Sequence, residues 1–178
     1  MRSLADETLN QSKENKASAI HATSSIEMPP TIISPSQAQI ENVIRWLKAE
    51  HLTDLEGFSG FYCNRSIIRS SFRAQETKCM TFGRKVIGLA VFKVRPHYST
   101  IDILEVRPEH RSLGFGRFFA AKMIDHMFGS GAPFIEVECA PSESESFWRG
   151  FGFTDYERPH HRGNTILRLH RAAKLLVP

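Results

Sequence analysis

The sequence predicts a single α+β domain, a mixed and mostly antiparallel central sheet flanked by helices, behind a disordered N-terminal arm. Three observations lead there. Residues 77–106 carry three β-like runs in succession, "TKCMTFG", "KVIGLAVFKV" and "YSTIDILEV", joined by short turns. Helical apolar spacing precedes them, in "QAQIENVIRWLKAEH". One strand-helix-strand unit follows, "IDILEV", "RFFAAKMIDHMF" and "PFIEVECA". Hairpin strands around one β-α-β centre argue against a doubly wound parallel sheet. The arm is placed at residues 1–30 and the domain at 31–178.

The arm is rich in Ser, Thr, Asn, Gln, Lys and Glu and ends on Pro29-Pro30. Such a stretch buries too little apolar surface to offset its ordering entropy. "TII", Thr31–Ile33, reads as a short first strand. The first helix is expected to start with Ser34 as N-cap and Pro35 in its first turn. Ile40, Val43, Ile44 and Leu47 share one of its faces. Asn64–Ala74 reads as a second helix. Gly83-Arg84 makes a hairpin turn, and Arg95–His97 separates the second β run from the third. The central helix has Phe118, Met123 and Met127 among its apolar positions and stops at Gly129–Gly131. "PFIEVECA" is a strand, "SESESFWRGF" a short helix stopped by Gly152, and "NTILRLHR" a last strand. Ser142 is the expected cap of that short helix.

Composition narrows the class. At 41% apolar residues a real core can form. The net charge of +4 permits an anionic cofactor or partner without marking a nucleic-acid binder. Cys63, Cys79 and Cys139 form no CxxC pair, which suits free thiols in a reducing compartment. No apolar run approaches the roughly 20 residues of a membrane helix. The expectation is a soluble, cytoplasmic protein, monomer or homodimer. The adjacent His160-His161 invite a metal reading, but no third ligand is evident, so no metal is expected and "RPHHRGN" reads as a basic loop.

The segment "RPEHRSLGFGR", Arg107–Arg117, joins a strand to the central helix. A helix start presents unpaired N–H groups and partial positive charge. Gly114 and Gly116 carry no side chains, so an anion can approach the amides of Ser112, Leu113, Gly114, Phe115, Gly116 and Arg117. Arg111 and Arg117 add charge. The dinucleotide pattern GxGxxG fails because Phe119 takes the third glycine position, and a Walker loop's Lys-Ser/Thr is absent. The turn suits a pyrophosphate.

"LEVRPEHRSLGFG" followed by "FWRGFGF" resembles the GCN5-related N-acetyltransferase (GNAT) family, which uses acetyl-coenzyme A. The resemblance spans roughly residues 31–170. It implies that Arg111–Gly116 wraps the coenzyme A pyrophosphate. It also implies that Leu104, Glu105 and Val106 pair through their backbone with the pantetheine arm. A backbone N–H near Leu104 would then face the thioester oxygen, an oxyanion-type contact. Trp148 stands where many relatives have a tyrosine acid, and an indole N–H cannot take that role. Trp148 is expected to line the core or the pantetheine wall, and Tyr156 is an alternative acid.

Amide formation needs a neutral amine, and a lysine-like amine of pKa about 10.4 is almost wholly protonated at pH 7. A general base is therefore useful. "IEVECA" supplies Glu136 and Glu138 on one strand face. Resemblance favours Glu136. In the family's ribosomal-protein N-terminal acetyltransferases a strand glutamate lies twelve residues before the helix tyrosine, as Glu136 does before Trp148. Asp102, expected on the face of Leu104 and Thr100, and Glu105, on the other, are the remaining candidates. Cys139 reads as a buried thiol and not an acetyl carrier.

The function expected is acetyl-CoA-dependent transfer to a primary amine of a small molecule, a peptide N-terminus or a lysine. Two alternatives stay open: a GNAT-type toxin acetylating aminoacyl-tRNA, and a non-catalytic coenzyme A-binding module.

Overall fold

The computed structural model describes residues 29–53, 60–156 and 167–173. All but the last two residues of the expected arm, and the basic loop with His160-His161, lie outside these. The described elements, in chain order, are β1 (Thr31–Ile33), α1 (Gln37–Thr53), a 3-10 turn (Gly60–Asn64), α2 (Arg65–Arg73), β2 (Thr77–Phe82), β3 (Lys85–Val94) and β4 (Ser99–Val106). A 3-10 turn (Pro108–His110) then leads to α3 (Phe115–Gly129), β5 (Phe134–Glu138), α4 (Ser144–Arg149), β6 (Thr154–Asp155) and β7 (Arg168–Ala172). The strands form one sheet in the order β1-β2-β3-β4-β5-β7-β6. Among the described strands only β4 and β5 pair in parallel. The α+β expectation holds.

Apolar residues on both faces of the strands produce two cores. Ile40, Val43, Ile44 and Leu47 of α1 pack with Ile68, Leu89, Val91 and Ile103. Phe119, Met123 and Met127 of α3 pack with Ile87, Phe92, Ile101, Ile135, Trp148 and Phe153 on the opposite face. At Gly88 the Phe119 ring of α3 packs directly on the strand backbone. A Cβ there would stand 3.0 Å from Phe119 Cε1 and 3.2 Å from the Glu105 carbonyl oxygen. Because a backbone atom cannot yield as a side chain can, Gly88→Val is expected to destabilise the fold by about 2 kcal/mol. Urea denaturation reads it.

Two caps differ from expectation. Helix α1 is capped by Ser36, not Ser34: Gln39 N donates to Ser36 Oγ at 3.3 Å, and Ser36 N donates to Gln39 Oε1 at 2.8 Å. This reciprocal box satisfies two end donors at once and outcompetes a cap two residues earlier. Ser34 Oγ instead accepts from Lys78 Nζ. Ser142 does not cap α4, since its hydroxyl turns to the Glu143 carboxylate.

β4 carries the feature that shapes the site. Val91 pairs with Ile103 and Phe92 with Ile101, so Asp102 is an extra residue. Such a bulge shifts the strand's alternation by one. Ile101 therefore joins the α3 core while Ile103, two residues on, joins the α1 core.

Candidate active site

β4 and β5 are in register only at Thr100↔Glu136 and Ile101↔Val137. From Asp102 onward β4 continues with β3 alone, and a notch opens between the two parallel strands. Arg107 N donates to Ile87 O on β3, whereas Val106 N points away from β3 and donates to its neighbour's carboxylate, Glu105 Oε1, at 2.9 Å. Strand donors alternate in direction, so Leu104 N–H also points off β3 toward the notch.

The turn after β4 ends the notch at one side. Ser112 and Gly114 sit in the left-handed region, at φ 60° and 85°. That reversal brings the start of α3 round with no side-chain cap. The first helical bond runs from Phe118 N to Gly114 O. The amides of Phe115, Gly116 and Arg117 thus precede the intrahelical ladder. A Cβ on Gly114 would meet nothing within 4 Å, and one on Gly116 only Phe147 at 3.9 Å, so the approach is open. Leu113 is exposed beside it. The turn's single acid, Glu109, is held by Lys85 at 2.8 Å, and that hydrogen bond is the main cause that pulls its carboxyl down to about 2.

The two arginines of the turn are used differently. Arg117 lies over the Phe151 ring, 5.3 Å from its centroid. Arg111 turns back into the protein. Its Nε donates to Val106 O at 2.9 Å, and its Nη2 donates to Glu50 Oε1 at 2.6 Å and Glu105 Oε1 at 2.9 Å. The turn is thereby tied to β4 and to the last turn of α1. Burial raises the Glu105 carboxyl above its usual range, against the pull of Arg111. Removing the guanidinium leaves two half-buried acids facing each other. Arg111→Ala is expected to cost about 1–2 kcal/mol near neutral pH, less than a fully buried pair because the guanidinium reaches water. The sign follows from the raised pKa. A proton on Glu105 relieves the defect, so the loss shrinks as pH falls through that value and grows above it. Thermal melting of both proteins at mildly acidic and neutral pH measures it.

At the other end of the notch, on the α2 face, lies a cleft of about 380 Å³ lined by Asn64, Ile67, Tyr98, Thr100, Asp102, Glu136, Glu138 and Arg168. Asp102 shares this cleft with Thr100 but not with Leu104, which packs on the α3 core. The bulge accounts for that departure from simple alternation. Asp102 is ion-paired with Lys93 at 2.5 Å. Glu138 is ion-paired with Arg168 at 2.5 Å, and Arg168 reaches Glu136 Oε1 only at 3.9 Å. Tyr156 Oη donates to Glu136 Oε2 at 2.5 Å.

Of the three candidate bases, the structure places Asp102 and Glu136 in one cleft and Glu105 elsewhere, beside Arg111. Trp148 is buried, edge-on to Phe147 and Phe153. Cys139 is buried, and burial raises its thiol. Lys93 and Arg168 were not singled out from the sequence. They reach the cleft through β3 and β7, and only strand order brings them there. Among the described residues no group of three or more His, Cys, Asp or Glu could hold a metal ion. No described helix is long and apolar enough to cross a membrane.

Comparison with known proteins adds to this geometry. The family model described as acetyltransferase (GNAT) family matches residues 40–153. No curated protein matches at a significant level. Many solved structures share the fold. Ard1 from Thermoplasma volcanium superposes with a TM-score of 0.61 at 18% identity, covering 82% of this chain and 98% of that one. The PaiA N-acetyltransferase from Thermoplasma acidophilum, in complex with coenzyme A, gives 0.62 at 16%, covering 82% and 100%. The ribosomal-protein-S18-alanine N-acetyltransferase from Escherichia coli gives 0.58 at 14%, covering 83% and 99%.

Proposed function

The chain belongs to the acetyltransferase (GNAT) family, and from that premise we propose that it transfers an acetyl group from acetyl-CoA to a primary amine, with Glu136 as general base. The observation that carries this reading is the parting of β4 and β5 after Ile101. One end of the notch holds bare helix-start amides and the other holds a carboxylate in a cleft.

Acetyl-CoA supplies an activated acyl group on a thiol that leaves readily. The chain's own residues do the rest. The amides of Gly114, Phe115, Gly116 and Arg117 hold the pyrophosphate, aided by the positive end of α3. Arg111 acts on this site through the turn it anchors. The free edge of β4 at Leu104 and Val106 aligns the pantetheine, and Leu104 N–H faces the carbonyl oxygen. Glu136 takes the ammonium proton at Oε1. Asp102 is less suited, because its charge is neutralised by Lys93. Glu105 is committed to Arg111 and Val106 N. Trp148 walls the notch and donates no proton, so the departing thiolate is protonated by water.

The buried indole at position 148 also favours a second reading, a module that binds coenzyme A without transfer. One experiment separates the two. Calorimetry measures acetyl-CoA binding, and coenzyme A release is followed with spermidine, tyramine, a lysine peptide and a peptide with a free alanine N-terminus. Binding with turnover supports transfer. Binding with no turnover on any amine supports the module, and no binding overturns both.

A further inference from the structure

The base is held by a residue that the proposed chemistry leaves unused. Tyr156 follows β6 directly, and its ring stacks on His170 with centroids 4.4 Å apart and planes 25° apart. His170 lies opposite Glu136 across β5–β7 and opposite Thr154 across β6–β7. The three strands thus set one rung on which the phenol is supported from beneath and aimed at the carboxylate. Its hydroxyl is the one hydrogen-bond donor to the Glu136 side chain among the described residues.

We propose that Tyr156 is a positioning residue for Glu136: it fixes Oε2 and so presents Oε1 to the amine in the cleft. This rests on the reading of Glu136 as the base. A glutamate left alone samples several rotamers, whereas one oxygen pinned by a short hydrogen bond leaves the other in a defined place. Among the described residues no other charge competes for Oε2. Arg168 pairs with Glu138 and stays 3.9 Å from Oε1, and Lys93 pairs with Asp102. His170 contributes its ring face to Tyr156, not a proton to Glu136. In the transfer the amine proton passes to Oε1, and Tyr156 keeps its own. Burial, and then the hydrogen bond to Glu136, raise the phenol above its ordinary range, which suits a donor that is never released.

The test compares the wild type, Tyr156→Phe and Glu136→Gln on whichever panel amine turns over fastest. Tyr156→Phe is expected to lower kcat about tenfold while the amine KM stays within about twofold, a loss the size of one charge-assisted hydrogen bond. Acetyl-CoA affinity should not change. An unchanged kcat, with Glu136→Gln inactive, overturns the positioning role alone. Full turnover in Glu136→Gln removes the base and the positioning role together. A readout free of turnover is the ultraviolet phenolate titration, with Tyr156→Phe used to assign the signal. In Glu136→Gln the phenolate should appear at lower pH, and an unchanged titration overturns the contact.

Discussion

Glu136→Gln is expected to reduce the turnover of acetyl-CoA and amine by about 100- to 10,000-fold, the range a positioned general base supplies. The side chain keeps its size and can still accept from Tyr156 Oη. What disappears is the capacity to take a proton at neutral pH. Acetyl-CoA affinity should stay at the wild-type value, since Glu136 lies at the far end of the notch from the helix-start amides. Steady-state coenzyme A release against calorimetric affinity separates the two quantities. A variant that keeps wild-type turnover would place the base elsewhere, with Asp102 the next candidate.

Gly114→Glu should act at the opposite end, on binding. Gly114 has φ 85°, a conformation that costs an L residue about 1–2 kcal/mol. A Cβ there would meet no protein atom within 4 Å, so the side chain can start into open space. That open space is where an anion has to sit. A carboxylate there opposes the phosphates and covers the amides meant for them. We expect acetyl-CoA affinity to fall by at least about 100-fold, as two such effects of a kcal/mol or more combine. Circular dichroism should remain that of the wild type. Unaltered affinity would mean that the cofactor is not held at this turn.

Much of this was legible in the sequence because it is local. The apolar spacing of α1 and α3, the hairpin at Gly83-Arg84 and the Gly114–Gly116 turn each depend on neighbours in the chain. The same holds for the glutamates of β5, which two-residue alternation places together. What escaped is non-local. The bulge at Asp102 is a mismatch between two strands, and neither strand's own pattern reveals it. It moved Asp102 off the face of Leu104. The Glu136–Tyr156 contact depends on β7 lying between β5 and β6. The place of Arg111 in the turn suggests a phosphate ligand. Its partners Glu50 and Glu105 come from α1 and β4, and only folding shows that they claim it.

That last contact has a consequence for how the family member can drift over generations. Glu50, Glu105 and Arg111 belong to three separate stretches of chain, yet one guanidinium serves both carboxylates. A lineage that loses the arginine first strands two acids in a poorly hydrated place. One that loses an acid first leaves the other to hold the arginine. Paths through the acids are therefore the passable ones, and the arginine should be exchanged only after an acid has gone.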